Sequence, residues 1–246
     1  MLQIDNLSKK YHNRIILENF SYCFADTGFY GIIGRSGCGK STLLNIIAGI
    51  IKPDSGDIIF NNEYYKNINN KKMASLRKNY ISYINQKNIL NEHLSLLKNI
   101  ELIKKILNIS IEDEKIEYYL KLFKIEDKKD QIIETLSGGE KQRIASARAI
   151  ITNPKLVLAD EPTGALDSKS SRMLLESFNY LNTELHTTIL MVTHDAFSAS
   201  YATRVIFIKD GKVFHELIKA DKSRKEFFDE IIDVVTVLGG DLNDAL

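Results

Sequence analysis

One glycine-rich segment constrains the fold of this 246-residue chain more than any other feature, and it reads Gly34-Arg35-Ser36-Gly37-Cys38-Gly39-Lys40-Ser41. An apolar run precedes it, Phe29-Tyr30-Gly31-Ile32-Ile33, and apolar residues at helical spacing follow it from Lys40 to Ala48. Between a strand and a helix, such a segment closes backbone N–H groups around phosphate, while its lysine supplies charge and its final hydroxyl a magnesium ligand. The sequence therefore predicts a phosphate-binding loop.

The composition is globular and balanced in charge. Apolar residues make up 44% of the chain, and 33 Lys and Arg against 32 Asp and Glu leave a formal net charge of +1. This balance excludes the strongly basic surface typical of nucleic-acid binding, so we expect no nucleic-acid partner. Two cysteines, Cys23 and Cys38, are too few for a disulfide framework or a zinc site, which favours the cytosol. The sequence shows no secretory signal and no membrane-spanning run, so we expect work at a membrane to depend on a partner.

Strands and helices alternate along most of the chain. We predict short strands within residues 1–33 and further strands at 57–60, 81–84, 156–159 and 188–192. We predict helices at 40–48, 96–107, 112–123, 140–151, 168–185 and 222–237, a surface loop at 61–72, and a hairpin over 204–215. This alternation predicts an α/β fold with a mostly parallel central sheet, an antiparallel β subdomain and an inserted helical subdomain.

We expect residues 1–246 to form a single domain. Its inserted helical subdomain is predicted at about 87–150, where the sequence becomes rich in Leu, Ile, Lys and Glu at helical spacing. A C-terminal helical tail is predicted at about 217–246, with apolar residues on one face.

A second segment, Leu136-Ser137-Gly138-Gly139-Glu140, precedes a predicted helix. This arrangement presents backbone N–H groups and a hydroxyl to an anion. Together and in this order, the two segments resemble the nucleotide-binding subunit of ATP-binding cassette (ABC) transporters, and the resemblance extends over residues 1 to about 215. It implies a P-loop NTPase fold, ATP and Mg²⁺ as cofactors, and ATP hydrolysis coupled to transport.

Nucleotide contacts are expected along the first segment. Lys40 should reach the β and γ phosphates, Ser41 should ligate Mg²⁺, and Thr42 should support the α phosphate. Tyr11 lies where ABC ATPases commonly place an aromatic ring against adenine; the alternative is an ordinary core tyrosine. The residues expected to contact the phosphates are Gly34, Ser36, Gly37, Cys38, Gly39, Lys40, Ser41 and Thr42.

Two adjacent carboxylates follow a predicted buried strand. Asp160 directly follows a run of four apolar residues, so we expect it at the carboxyl edge of the sheet. P-loop NTPases hold Mg²⁺ with an aspartate at this edge. By the resemblance, Glu161 is the general base that polarises the attacking water. The alternative is that both acids cap a helix before Pro162.

Two further polar residues follow predicted strands. His194 follows the strand that ends at Val192 and matches the family's switch histidine, which contacts the γ phosphate and holds the catalytic water. Gln86 resembles the family's Q-loop glutamine, which senses Mg²⁺ and water and hinges the helical subdomain. Asn85 stands where an aromatic residue often precedes that glutamine.

One chain with two anion sites but a single lysine-bearing loop implies a second copy. In ABC proteins the segment that Ser137, Gly138 and Gly139 match closes on the γ phosphate held by the opposite subunit. Ala165-Leu166-Asp167 matches the D-loop, which communicates across that interface. The resemblance therefore implies an ATP-sandwich homodimer, and the chain alone is expected to bind ATP yet hydrolyse it poorly.

Cys38 replaces the small residue that is common inside such a loop. Because a thiol at a helix N-terminus can have a lowered pKa, we expect it to be reactive. Alkylation should inactivate the protein, and ATP should protect it.

The resemblance implies the motor subunit of an ABC transporter, acting with a transmembrane permease on the inner face of the cell membrane. A narrower resemblance, to bacitracin-export (Bce-type) ATPases, lies in residues 194–201, 207–211 and 237–241. It implies resistance to peptide antibiotics and a link to a sensor histidine kinase. Lipoprotein-release and macrolide-export systems remain alternatives, as does a soluble ABC protein; a P-loop kinase or GTPase switch would not need Ser137 or His194.

Overall fold

The computed structural model describes residues 2–239, which contain ten strands and eight α-helices. The strands are β1 (Leu2–Tyr11), β2 (Arg14–Phe24), β3 (Phe29–Gly34), β4 (Ser55–Phe60), β5 (Glu63–Tyr64), β6 (Ile81–Ile84), β7 (Leu156–Asp160), β8 (Thr188–Val192), β9 (Arg204–Lys209) and β10 (Lys212–Ile218). The helices are α1 (Lys40–Ile47), α2 (Asn70–Tyr80), α3 (Leu96–Leu107), α4 (Asp113–Leu122), α5 (Gly138–Ile150), α6 (Ser168–Thr183), α7 (Ala196–Ala199) and α8 (Arg224–Gly239).

The strands form two sheets. The central sheet has the order β10-β9-β3-β8-β7-β6, and all its neighbours pair in parallel except β9 and β10, which form an antiparallel hairpin. The second sheet has the order β2-β1-β4-β5 and is antiparallel. Every residue of β3 and β8 is buried, as expected for parallel strands covered on both faces. The predicted α/β class, with its mostly parallel and separate antiparallel sheets, is confirmed.

Side chains along β7 alternate between two hydrophobic cores. Val157 and Ala159 pack in the core that contains the helices α3 to α6, whereas Leu156 and Leu158 pack in the core that contains α1 and the antiparallel sheet. Because strand side chains repeat with a period of two, Asp160 continues the series of Leu156 and Leu158. The alternation therefore directs the Asp160 carboxylate toward α1.

The segment between β6 and β7 is largely helical. Helices α3, α4 and α5 lie there, and apolar side chains such as Leu96, Ile100 and Leu120 are buried in the core shared with α6. Ser95 caps α3 by accepting a hydrogen bond from the Lys98 N–H (3.4 Å). The subdomain limits of 87 and 150 stay a prediction.

The expected surface loop at 61–72 is wrong. It contains β5, a 3₁₀ turn at Tyr65–Asn67 and the start of α2. Asn69 caps α2 by accepting from the Lys72 N–H (2.9 Å). Leu76 is the one residue of helix α2 that is buried. The Asn- and Lys-rich sequence therefore carries almost no apolar periodicity.

Several other elements differ from the sequence prediction; α5, for example, spans Gly138–Ile150 where the sequence predicts 140–151, and α6 ends at Thr183 where the sequence predicts 185. The one-turn helix α7 is too short to leave a periodic signal. Strand β10 continues past His215 to Ile218, and the prediction ends too early because a register irregularity between Val213 and His215 interrupts the alternation of side chains. The tail helix begins at Arg224. Residues 240–246 of the predicted tail, and Met1 of the first predicted strand, lie outside the described residues.

Candidate functional site

The predicted phosphate loop joins β3 to α1, as the sequence indicates. Gly37 and Gly39 have φ angles of +76° and +102°, in the left-handed region that favours glycine. A Cβ on Gly39 would lie 2.8 Å from the carbonyl oxygen of Ile16 on β2. The loop therefore needs glycine at this position both for its turn and for its close approach to β2.

Lys40 is buried, with 7% of the residue exposed. Its Nζ donates hydrogen bonds to the carbonyl oxygens of Gly34 (2.7 Å) and Arg35 (3.0 Å). Among residues 2–239, no carboxylate lies within ion-pairing distance of this ammonium, and its hydrogen-bond partners are the two loop carbonyls and Cys38 Sγ (3.9 Å). A buried charge without a counterion is costly, and the free N–H groups at the start of α1 add positive potential. Both features favour a bound anion at the loop.

A cleft of about 280 Å³ opens over this loop. Glu161 borders it on one side, and Arg14 and Ile16 of β2 border it on another. The remaining lining residues come from the loop and from the start of α1: Ser36, Gly37, Gly39, Lys40, Ser41 and Thr42. Six of the predicted phosphate contacts thus face one cavity together with the predicted general base.

Asp160 and Ser41 meet at the edge of this cleft. Ser41 Oγ donates to Asp160 Oδ1 (2.9 Å), and the Tyr83 hydroxyl on β6 donates to Asp160 Oδ2 (3.4 Å). Burial raises the pKa of Asp160, and these two hydrogen bonds oppose that shift. A hydroxyl and a carboxylate are the hard oxygen ligands that Mg²⁺ takes in addition to phosphate oxygens. Residues 2–239 hold no group of three or more acidic, His or Cys side chains that could bind a metal ion. The Ser41 hydroxyl and the Asp160 carboxylate fit a magnesium site that phosphate oxygens would complete.

Glu161 and His194 are adjacent at the ends of β7 and β8. Glu161 Oε2 lies 3.2 Å from His194 Nδ1, and the Glu161 N–H donates to the carbonyl of Val192 (2.9 Å). Glu161 has a φ angle of +46°, an uncommon conformation for a residue with a side chain and one that clusters at functional sites. The alternative of a helix-capping acid pair finds no support, because the next helix, α6, is capped by Asp167.

Gln86 lies two residues beyond β6 and is exposed. A Cβ on Gly164 would lie 3.2 Å from Gln86 Nε2 and 3.5 Å from Glu161 Oε2. The same glycine therefore borders both side chains. The structure brings Gln86 next to the predicted base.

Tyr11 ends β1 and is 41% exposed, so it is not a core tyrosine. It pairs across the hairpin with Arg14, which lines the cleft over the loop. The ammonium of Lys9 lies 5.6 Å from the centroid of its ring. An exposed aromatic face at the rim of the cleft is what base stacking requires; the adenine contact stays a prediction.

The second anion segment begins α5 with a capping box. Ser137 Oγ accepts from the Glu140 N–H (3.3 Å), and the Ser137 N–H donates to Glu140 Oε2 (2.9 Å). This backbone hydrogen bond lowers the pKa of Glu140. Ser137 and Gly138 are exposed and Gly139 is buried, where a Cβ would collide with the Ser170 side chain. None of the three residues lines the cleft over the phosphate loop, so the chain presents this helix N-terminus separately.

The expected low pKa of Cys38 is wrong. Burial raises the pKa of its thiol, and the positive charge of Lys40 offsets this only in part. Lys40 Nζ lies 3.9 Å from Cys38 Sγ, but its hydrogen bonds to loop carbonyls are shorter. The position near a helix N-terminus does not compensate for the desolvation of the thiolate.

Alkylation tests this environment, with the exposed Cys23 as an internal control. We expect iodoacetamide to modify Cys38 more slowly than Cys23 at neutral pH, because the buried thiol holds less thiolate, and to accelerate as the pH rises. Bound ATP should slow modification of Cys38 and leave Cys23 unaffected. Peptide mass spectrometry measures both rates, and full ATP binding by protein alkylated at Cys38 would contradict the predicted contact between Cys38 and the nucleotide.

Two residues near the phosphate loop escape sequence reasoning: Arg14 lines the cleft, and Tyr83 contacts Asp160 from β6. Arg14 reaches the loop because the β1–β2 hairpin lies beside it, and Tyr83 reaches Asp160 because β6 is the neighbour of β7. The order of strands in the sheet is not encoded in any local pattern. The only local signal for Arg14 is its position just after the turn at His12-Asn13, close to the predicted nucleotide-stacking residue Tyr11.

Comparison with known proteins places this site in a family. Residues 17–164 match the family model described as ABC transporter. The chain is 40% identical over 250 residues to the bacitracin export ATP-binding protein BceA of Halalkalibacterium halodurans, covering 99% of each chain. It is 39% identical over 227 residues to the macrolide export ATP-binding/permease protein MacB of Campylobacter jejuni, covering 92% of this chain and 35% of MacB. The dimeric post-hydrolysis structure of the ATP-binding cassette MJ0796 bound to ADP and Pi superposes with a TM-score of 0.79 at 33% identity, covering 89% of this chain and 98% of that one.

This chain belongs to the ABC transporter family. It is an ATP-binding subunit with ATPase activity, its nucleotide is ATP, and Mg²⁺ is the usual partner ion of such ATPases. Cassettes of this family function as dimers with transmembrane permease partners. None of the helices within residues 2–239 has the length and apolar content needed to cross a membrane. The predicted family, activity and cofactors are confirmed.

Proposed function

We propose that two copies of this chain enclose ATP between the phosphate loop of one and the α5 N-terminus of the other. Two observations support the pairing. The buried ammonium of Lys40 lacks a counterion among residues 2–239, and the exposed Ser137 and Gly138 belong to a separate helix N-terminus. The γ phosphate then lies between Lys40 and Ser137 of the partner subunit. This shared nucleotide is the central element of the proposed function.

The loop residues bind and orient the triphosphate. Lys40 exchanges its loop carbonyls for β and γ phosphate oxygens, and Thr42 supports the α phosphate. Ser41, Asp160 and Gln86 would hold Mg²⁺, which, when bound, neutralises charge that develops on the phosphate oxygens. Arg14 borders the same cleft and adds positive charge near the phosphates.

Glu161 acts as the general base. Its carboxylate accepts a proton from the attacking water while the water oxygen forms a bond to the γ phosphorus and the bond to the ADP oxygen breaks. The His194 imidazole, 3.2 Å from Glu161 Oε2, orients that carboxylate and extends toward the γ phosphate. The left-handed backbone conformation of Glu161 sets the direction of its Cα–Cβ bond. The carboxylate therefore needs little rearrangement before the reaction.

The permease docks in a groove between the helical segment and the sheet. This groove, which we call the β6 groove, has a volume of about 430 Å³ and is bordered by β6, α2, α3 and α5. Apolar side chains, including Ile89, Ile103 and Leu107, form part of its wall. Its charged lining residues are all cations, namely Arg77, Lys78, Lys87 and Arg148. This lining fits a short amphipathic helix that carries acidic side chains.

The transporter that this subunit drives removes peptide antibiotics from the membrane. The 40% identity to BceA over 99% of both chains supports this substrate class over macrolide export, because the similarity includes the C-terminal stretch. Residues 240 and 241 of that stretch lie outside the described residues. The subunit works on the cytoplasmic face of the membrane, and a sensor histidine kinase is linked to it through the permease. Lipoprotein release is the second candidate.

Charge reversal in the β6 groove tests the permease contact. The double variant Lys78→Glu/Lys87→Glu should lose most of the permease that co-purifies in detergent, since like charges would then face the acidic partner helix. The matched control is Lys71→Glu/Lys121→Glu, which changes the same charge at exposed positions outside the groove lining. ATP affinity should stay unchanged in both variants. Equal permease recovery from both variants would contradict the docking site.

Peptide stimulation tests the substrate class. The parent subunit, purified with its permease, should hydrolyse ATP faster when peptide antibiotics such as bacitracin are added, whereas macrolides and lipoproteins should have no effect. Stimulation by a lipoprotein alone would favour the second candidate. Co-purification of ribosomes or DNA in place of a membrane protein would contradict the transport function.

A further inference from the structure

His194 lies just before a helix of only one turn. Helix α7 begins two residues after it, and the side chain of Asp195 caps α7 by accepting from the N–H groups of Phe197 (3.1 Å) and Ser198 (3.0 Å). The Ser198 hydroxyl lies 2.9 Å from Thr163 Oγ1, which ties α7 to the segment that follows Glu161. The position of α7 therefore sets where the His194 imidazole stands relative to Glu161.

The C-terminal helix contacts α7 through a cation and two aromatic rings. The guanidinium carbon of Arg224, the first residue of α8, lies 4.5 Å from the ring centroid of Tyr201 and 5.6 Å from that of Phe197. The two rings are themselves 5.6 Å apart and inclined by 75°, so they form an edge-to-face pair. Arg224 thus contacts one residue in α7 and one just beyond its C-terminal end.

No ion pair within residues 2–239 competes for Arg224. Its electrostatic neighbour is another cation: burial, and to a smaller extent the charge of Arg224, lowers the pKa of Lys219. Below the guanidinium, Phe227 and Ile231 of α8 are fully buried in the core that also contains Ala199 and Tyr201. The apolar face of α8 anchors the helix, and the rings are the partners of its first residue.

We propose that Arg224 is a positioning residue for ATP hydrolysis: it clamps Phe197 and Tyr201 and thereby holds α7, and with it His194, beside Glu161. This inference rests on the proposed role of His194. It gives the C-terminal helix a function in the catalytic cycle, because a shift of α8 would move α7 and change the distance between His194 and Glu161. Arg224 itself lies outside the lining of the cleft over the phosphate loop.

Histidine NMR tests the clamp without relying on catalysis. The chain has five histidines, so selective labelling gives few signals, and His194→Ala identifies the one from His194. In the full chain, Arg224→Ala should shift or broaden the His194 ring signal and leave those of His12, His93 and His186 unchanged. Arg224→Lys, which keeps a cation over the rings, should restore part of the parent signal. A His194 signal that is identical in the parent and in Arg224→Ala would overturn the proposal.

Kinetics supply the second readout. For the subunit with its permease, Arg224→Ala should lower kcat roughly twofold to fivefold, the effect of losing a partly exposed cation–π contact, with KM for ATP unchanged. Lys225→Ala, the same charge change at an exposed neighbour, should leave both constants at parent values. In the Tyr201→Leu background, Arg224→Ala should lower kcat by a smaller factor than in the parent, because only the Phe197 ring remains under the cation, whereas fully additive losses would contradict a shared contact. If His194→Ala leaves turnover intact, the proposed role of His194 fails, while the NMR result still decides the clamp.

Discussion

Replacing Glu161 with glutamine is expected to lower ATP turnover by roughly a hundredfold to ten-thousandfold while ATP still binds. Glutamine has the size of glutamate but cannot accept the proton of the attacking water. The substitution leaves Lys40 and Ser41 in place, so the phosphate contacts persist, and the pair of subunits should stay closed around unhydrolysed ATP. Phosphate release by the subunit with its permease measures turnover, and sedimentation with ATP measures the dimer.

The control for this variant is Glu117→Gln, which removes one exposed carboxylate on α4. It should hydrolyse ATP at the parent rate. Turnover of Glu161→Gln within about threefold of the parent would remove Glu161 from the role of general base.

Replacing Lys40 with alanine is expected to weaken ATP binding roughly tenfold to a hundredfold. The variant loses charge-assisted hydrogen bonds to phosphate, and the loop loses its buried cation. Isothermal titration of the isolated chain with ATP measures the affinity. Because the N–H groups of the loop and of α1 remain, some binding should persist.

Lys71→Ala is the matched control, since it deletes an exposed ammonium on α2. Its affinity for ATP should equal that of the parent. A Lys40→Ala chain that remains folded by circular dichroism and binds ATP within about threefold of the parent would contradict the assignment of the anion site to this loop.

Much of the site follows from the sequence because its residues lie at strand ends. Parallel strands bring their carboxyl ends to one edge, so Gly34, Asp160 and His194 belong together once β3, β7 and β8 are recognised. The alternation along β7 even gives the direction of Asp160, toward α1 and Ser41. Local pattern and sheet geometry agree here, and the prediction succeeds.

Other features depend on long-range packing that no local pattern carries. The raised pKa of Cys38 results from burial, whereas the sequence shows only a helix N-terminus. Helix α2 forms from polar residues because Asn69 caps it, and Met73 packs over the close turn at Gly49. The contact of Arg224 with Phe197 and Tyr201 joins segments separated by two strands and a hairpin turn. Strand order and loop packing decide each of these cases.

The most direct test of the shared nucleotide is a crystal structure of the Glu161→Gln chain with Mg²⁺ and ATP. The account predicts a head-to-tail dimer in which the γ phosphate contacts Lys40 of one chain and Ser137 of the partner subunit. Magnesium should lie against Ser41 and Asp160. A structure in which ATP occupies the loop while Ser137 faces away from every phosphate, in all assemblies of the crystal, would contradict it.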